Sequence, residues 1–508
     1  MKKILAIDQG TTSTKSLVMD EEGRILGTSS PESFTVESRC PRSGWVEFDP
    51  FQMLESVWQS AQAALRNAGL KASDIAAIGL ANQGETVIAF DAHDGHPVCP
   101  AISWQDRRAQ RFADRWRADG LEDEVFRITG LRLDAYFSAA KLAWILENVP
   151  HARELQAAGR LRYGTSDAWL IWQLTGGRHF VTDVATASRT MLLDLETLEW
   201  SPRLSSVFGI PLAELPTLVR NSAPLGVTSY ESMGADIPIT GICVDQQAAL
   251  FGHCAAKPGD AKITYGTGCF VLANIGGSSA RRAPGLLTSV GWQLAEEAAF
   301  VFDGGIYCAG SLVDWLCRLG LATDVMEVAR MAGEVGRASP VMLIPAFGGL
   351  GAPRWSSTAR ACWVGMDHST DRRHLVRSAL ESIAFGVKEI VESMRDAGLR
   401  IERVDVDGGL SQCDLLMQIQ ADVLGIPLTR SNLTEFTAWG VGYLAGLGGG
   451  LWKSPRQLPR PDAEEKTFEP CPAAGDRYSA TFTKWKEACS RVVAMGDAGL
   501  FGREDDSI

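Results

Sequence analysis

The stretch Ile7-Asp8-Gln9-Gly10-Thr11-Thr12-Ser13-Thr14-Lys15-Ser16-Leu17-Val18-Met19-Asp20 carries the reading of the fold. An apolar strand over Lys3–Ile7 runs into an acid, then a glycine, then four hydroxyl residues. A second strand follows at Lys15–Met19, and after Glu21-Glu22-Gly23 a third at Arg24–Thr28, so the chain opens as a β-meander. Glycine lets backbone N–H groups come close to a ligand, and successive amides with threonine hydroxyls form a nest suited to phosphate oxygens. Asp8, at the strand end, has the hard oxygen ligand that Mg²⁺ takes, directly or through water. A hairpin turn closed by an Asx hydrogen bond accounts for the same residues without any ligand.

Further along, Ile263-Thr264-Tyr265-Gly266-Thr267-Gly268 echoes Ile7-Asp8-Gln9-Gly10-Thr11-Thr12, and each is followed by an apolar strand. Taken alone, the echo is weak evidence for duplication. A third glycine-rich turn, Asp407-Gly408-Gly409, lies between a strand from Val404 and a helix expected near Ser411. Such a strand-to-helix turn lets a flat ring or a phosphate lie against backbone. Between the first two turns, Pro238–Val244 reads as a buried strand with Asp245 at its end and Gln246 opening a helix. Asp245 there is either an N-cap or a general base pointing out from the carboxyl end of a strand, where open α/β sheets bind ligands. Strands and helical periods alternate through most of the chain, which predicts an α/β class.

The bulk properties narrow the function. With 508 residues the chain exceeds one core and calls for two or three domains. Net charge is −12 with no dense Lys/Arg block, which argues against a nucleic-acid partner. The 11 cysteines are scattered, with no C-x-x-C pair, and read as small hydrophobes in a reducing cytoplasm. His93 and His96 fall in an Asp/Gly-rich turn, expected to be surface and not a metal site. No apolar run approaches the length of a membrane span, and the short one at the start breaks at Asp8. The prolines Pro455, Pro459, Pro461, Pro470 and Pro472 suggest an extended connection to a last amphipathic helix around Tyr478–Met495, with a frayed tail from Gly502.

One stretch resists a structural reading. In Leu80-Ala-Asn-Gln-Gly-Glu-Thr-Val-Ile-Ala-Phe90, two buried strands, Ile75–Leu80 and Val87–Phe90, flank Asn82, Gln83 and Glu85 around the bare Gly84. An amide, a carboxylate and a gap between two apolar runs suit a binding loop.

Longer patterns make a resemblance specific. Tyr136-Phe-Ser-Ala-Ala-Lys141-Leu-Ala-Trp144-Ile-Leu-Glu147-Asn148, and Ala361-Cys-Trp-Val-Gly365-Met366 with His374–Glu381 after it, fit two signature regions of the FGGY family of carbohydrate kinases. "GWVEFDP", "WQDRR", "SDAWLIWQLTGG", "TASRTMLLDLETLEW", "DQQAALFG", "YGTGCF", "PAFGGLGAPRW" and "LAGLGGGLW" keep order and spacing over roughly residues 1–490 and resemble the members that phosphorylate glycerol.

The resemblance implies two actin-like, ribonuclease-H-like α/β domains, residues 1–253 and 254–508, around a deep cleft. It implies an enzyme that moves the γ-phosphoryl of ATP, with Mg²⁺, onto a primary hydroxyl of a small polyol or sugar, glycerol first. Asp245 would be the general base, with Asp8 and Asp245 near the metal. Gly84, Glu85, Trp104, Tyr136, Gln246 and Phe270, with Asp245, would line the acceptor. Thr11, Thr12, Ser13, Thr267, Gly268, Gly310, Asp314, Gly409 and Cys413 would line ATP. Cytoplasmic location and assembly into dimers or tetramers are also implied. Three positions depart from the glycerol-phosphorylating pattern: Cys413 stands for an asparagine, Asp314 for a glutamine, and Gly84 for the arginine of N-Q-R-E-T. The missing arginine leaves room for a longer acceptor such as erythritol, threitol, a pentitol or xylulose. Alternatively Gln83, Arg108 or ordered water fills the space and glycerol stays the acceptor. The rival outside this class is an actin-like ATPase switch protein.

Overall fold

The computed structural model describes residues 2–30, 34–295, 297–335, 340–460 and 463–501. Pro461 and the tail expected to fray lie outside these residues. The opening meander is present: β1 (Lys3–Gln9), β2 (Thr14–Asp20) and β3 (Ile25–Thr28) pair antiparallel in sequence. β4 (Ala77–Asn82) lies parallel to β1, and β6 (Pro238–Val244) lies parallel to β4. The edge strand β5 (Ser222–Val227) runs antiparallel to β6, which gives the order β5-β6-β4-β1-β2-β3. The strands β1 and β4 are buried almost throughout, as expected of a sheet covered on both faces.

The second half repeats this arrangement. β7 (Ala261–Tyr265) pairs antiparallel with β8 (Cys269–Gly276), and β8 with β10 (Glu297–Ile306), whose other edge takes β9 (Leu287–Leu294). On the far side of β7 run the parallel strands β11 (Val404–Asp407) and β12 (Leu428–Ser431), then the antiparallel edge strand β13 (Glu465–Phe468). The seven-stranded order β9-β10-β8-β7-β11-β12-β13 therefore matches the first sheet strand for strand, with β9 added. The weak sequence echo marks equivalent turns, β1–β2 and β7–β8, of two topologically equivalent sheets. β13 lies within the proline-rich stretch that the composition suggests is merely extended. Its backbone completes the sheet edge, a gain that local composition does not register.

One hydrophobic core runs from the first sheet (Ile4, Ala6) to the second (Ile263, Val271). The glycine-rich helix α6 (Phe436–Gly448), from the second half of the chain, lies under the first sheet, where Ser222 Oγ donates to Leu444 O at 2.9 Å and Thr240 Oγ1 to Ala445 O at 2.7 Å. It comes so close to α2 (Asp245–Gly252) that a Cβ on Gly440 would stand 1.8 Å from the Ala248 carbonyl oxygen. Two more helices bear on the site, α3 (Gly310–Arg318) and α5 (Asp414–Leu424). Helix α1 (Pro50–Ala68) packs on β2, α4 (Arg372–Asp396) packs on α5, and so does the terminal α7 (Pro472–Asp497), which is longer than its apolar period suggests.

Candidate active site

β6 ends at Val244, and Asp245 is the first residue of α2. Its Oδ1 accepts the N–H of Gln246 at 2.6 Å. Val244, in extended conformation, is the residue at the cap position. Asp245 therefore does not bridge to the second or third helical amide in the way an N-cap does. Burial, then the nearby Glu85 carboxylate, raise the Asp245 pKa to about 6, against the pull of Lys262 and Arg189. Asp8 lies two strands away on β1. Its Oδ1 is buried without a hydrogen-bond partner, and burial, then Asp245 and Glu435, push its pKa up to about 8. Asp8 and Asp245 thus lie at the carboxyl ends of two parallel strands separated only by β4, and the Asp245 charge disfavours that of Asp8.

The turn between β4 and Val87–Asp91 forms the second wall. Glu85, not Gly84, takes the left-handed backbone conformation, with φ 58°. A non-glycine residue held there is a strained position of the kind that clusters at functional sites. Thr86 N donates to Gly84 O at 2.7 Å, and Ser138 Oγ donates to Glu85 O at 3.2 Å, which fixes the turn. The bare glycine is therefore not a backbone requirement.

What stands beside Gly84 is Val244, whose Cγ2 lies 2.9 Å from where a Cβ would be. Neither side chain expected to swing into this space does so. Gln83 is buried and bonded to Thr86, Gln9 and Gly10. Arg108 is bound to Asp106 and Glu47 and stacks on Trp45 at 3.8 Å. The guanidinium at this wall comes from Arg189, within the Thr186–Trp200 pattern. Its Nε donates to Glu85 Oε1 at 2.6 Å. Its Nη1 stands 2.9 Å from Asp303 Oδ2 on β10, off the axis of a hydrogen bond, so this buried nitrogen has no aligned acceptor. Sequence reasoning missed Arg189, although the segment that holds it was among the most patterned in the chain.

Aromatic rings complete the wall. Trp104 meets Tyr136 edge-on at 5.8 Å, and its Nε1 donates to Thr11 Oγ1 at 2.9 Å, which links this wall to the first turn. Tyr136 also faces the Arg189 guanidinium at 5.9 Å. Phe270, on β8, packs over Gly305, where a Cβ would meet its ring at 2.8 Å. Lys141 is buried behind this wall, its Nζ bonded to Tyr136 O, and burial lowers its pKa to about 7.

Two hydroxyl-bearing turns follow β1 and β7. Gly10 N donates to Ser13 O at 3.2 Å and Val36 N to Thr12 O at 2.9 Å, with the Thr12 side chain exposed. In the second turn Gly266 and Thr267 are exposed, and Gly268 lies tight against Ile306 O, 2.6 Å from where its Cβ would stand. Gly310 N donates to Gly266 O and Ser311 N to Thr267 O, at 2.9 and 3.1 Å, which clamps this turn to the start of α3. Asp314 is exposed on α3, Gly409 is exposed in the third turn, and Cys413 is buried before α5.

A second buried cation joins the two sides, and sequence reasoning missed it as well. Lys262, on β7 and fully buried, donates from Nζ to Gln246 Oε1 at 2.9 Å and to Thr264 Oγ1 at 2.6 Å. Asp407 Oδ2 is 2.9 Å from His253 Nε2. Burial works to raise the Asp407 pKa, yet Lys262, His253 and Thr264 hold it down to about 2. An isolated lysine in an apolar strand gives no signal at sequence level, because its partners come from α2 and β11.

The donor set fits Mg²⁺. Asp8 has an orphaned buried carboxylate oxygen within the field of the Asp245 charge, and a dication would offset that repulsion. Among the described residues no group of three or more metal-ligating side chains occurs.

Comparison with known proteins agrees with this geometry. Residues 3–252 match the N-terminal domain of the FGGY family of carbohydrate kinases, and residues 261–448 match the C-terminal domain. The chain is 44% identical over 494 residues to a glycerol kinase of Aromatoleum aromaticum, covering 97% of this chain and 99% of the relative. It is 43% identical to a glycerol kinase of Deinococcus radiodurans, over 96% of this chain and 97% of the relative. Among solved structures, Plasmodium falciparum glycerol kinase with ADP superposes with TM-score 0.88 at 33% identity, over 97% of this chain and 98% of that one. Two equivalent sheets, both hydroxyl turns and a near end-to-end match lead to one assignment: this chain belongs to the FGGY family of carbohydrate kinases.

Proposed function

We propose that the protein transfers the γ-phosphoryl group of ATP to a primary hydroxyl of glycerol, forming sn-glycerol 3-phosphate. The observation that carries this reading is the meeting of Asp8, Asp245 and the Glu85–Arg189 pair in a chain 44% identical to a glycerol kinase. Asp245 is the general base. One of its oxygens is held by the Gln246 amide, so the other is available to the acceptor hydroxyl. A pKa raised to about 6 leaves it ionised at neutral pH and a stronger base than an ordinary aspartate. It takes the hydroxyl proton as the acceptor oxygen bonds to the γ-phosphorus and ADP leaves.

Glu85, Trp104, Tyr136, Phe270 and Gln246 orient the acceptor, and Lys262 points the Gln246 amide. The turns with Thr11, Thr12, Ser13 and with Thr267 and Gly268 hold the phosphates. Gly310, Asp314, Gly409 and Cys413 lie along the nucleoside side, the buried Cys413 by backbone and packing. Asp8 and Asp245 would hold Mg²⁺, which neutralises phosphate charge when bound. In this reading residues 1–253 and 254–508 are the two lobes, the enzyme is a cytoplasmic homo-oligomer, and no nucleic acid takes part. Among the described residues no helix is long and apolar enough to cross a membrane.

The longer-acceptor reading loses ground because the Val244 methyl group reaches into the space beside Gly84. ADP release measured with glycerol, erythritol, threitol, xylitol, arabinitol, xylulose and ribulose tests the proposal. Glycerol is expected to give the highest kcat/KM. A tenfold preference for another acceptor would replace it, and ATP hydrolysis indifferent to every acceptor would favour a switch ATPase.

A further inference from the structure

Arg189 has features that structural ion pairing does not use up. It is 4% exposed, and it is held from both halves of the chain, by Glu85 on the first and Asp303 on the second. Tyr136 and Phe137 cover its guanidinium plane at 5.9 and 5.5 Å. With Nε committed to Glu85, the buried Nη1 lacks an aligned acceptor even though Asp303 is within reach. A buried unmatched donor is costly and persists where something else completes it. Glu85 in turn has its backbone strained to present its carboxylate at this spot.

We propose that Arg189 is a substrate-positioning residue of the acceptor site, holding the Glu85 carboxylate in register and donating to an acceptor hydroxyl. A carboxylate and a guanidinium side by side recognise two neighbouring hydroxyls, one through its proton and one through its oxygen. The acceptor class is therefore a vicinal diol next to the reacting hydroxyl. Since Asp303 sets the far side of the guanidinium, the second sheet helps build the acceptor wall that Glu85 begins. This inference rests on the kinase reading above.

The test is steady-state kinetics of the full chain on whichever acceptor of the panel the parent turns over fastest. Arg189→Met is expected to raise the acceptor KM about 10–100-fold, the worth of a charged hydrogen bond, with the ATP KM within twofold. Arg189→Lys should recover part of the loss. In a Glu85→Gln background, Arg189→Met should add less than threefold, because its main partner is gone. If Arg189→Met does not fold, Asp303→Asn decides on the same readout, with a several-fold rise in acceptor KM expected at unchanged ATP KM. An acceptor KM within twofold of the parent in the folded variant overturns the inference, and so does an equal rise in both KM values. A parent that phosphorylates no acceptor defeats the kinase reading instead, which keeps the two failures distinct.

Discussion

The turn after β1 and the turn after β7 occupy equivalent places in equivalent sheets, yet only the first is acidic. Asp8 stands two residues before Gly10, whereas Thr264 stands two residues before Gly266. At the end of β6 is Asp245, while the equivalent β12 ends at Ser431. The first sheet therefore gathers carboxylates with raised pKa, and the second supplies hydroxyls, backbone amides and the cation Lys262. One topology used twice makes a site whose two faces do different work. In the proposed function, proton removal and metal binding fall to the acidic face alone, and the hydroxyl turns of both faces hold the phosphates. The repeated topology supplies the scaffold, and different residues at a few strand ends set the two faces apart.

The sharpest way to break this division is Asp245→Asn. Loss of the base is expected to lower kcat by about 10²–10⁴-fold with the acceptor KM little changed. Full activity in the ADP-release assay would show that the acidic face does not do the proton chemistry.

Asp8→Asn comes next, with activity expected to fall about 10²-fold and its Mg²⁺ dependence to shift. Stability should move the opposite way. The Asp8 pKa rises from 3.8 in the unfolded chain to about 8 in the fold, so between those values the native state holds a proton that the unfolded state has released. The free protein thus loses stability as pH rises from about 4 to about 8. Melts of Asp8→Asn, without nucleotide or divalent cation, should show a flatter pH profile and a higher Tm at pH 8 than the parent. An unchanged profile would mean that Asp8 is not held in this state.

On the neutral face, Thr267→Ala removes one exposed hydroxyl and should raise the ATP KM about tenfold or less, with the acceptor KM unaffected. A larger change in acceptor KM would blur the division. The smallest effect concerns Gly84. Gly84→Arg alone should lower activity a few-fold, because its Cβ would crowd Val244. Adding Val244→Gly should relieve that loss. Equal activity with and without the second change would show that the two positions are independent.

Much of the site was legible in the chain. Asp245 is found where a strand pattern stops and a helical one starts, and both hydroxyl turns follow apolar runs, because local backbone geometry demands those residue types. Gly84 was legible as an anomaly, but its meaning was not. Its neighbour in space is Val244, 160 positions later in the chain. The absence of the arginine suggests a vacancy only while that neighbour is unseen. Arg189 and Lys262 were invisible as functional candidates for a related reason. Each is a single basic residue in an ordinary segment, and its role depends on carboxylates and amides brought from other strands.

From order and spacing alone come the α/β class, the repeated hydroxyl turns, the acid at the strand end and the family resemblance, since hydrophobic periodicity and glycine placement act over a few residues. Folding alone decides that Glu85 takes the left-handed conformation, that Val244 closes on Gly84, and that Arg189 joins the two halves. Those outcomes depend on distances between segments far apart in the chain, and on the shared low-dielectric interior where one buried charge sets the protonation of the next.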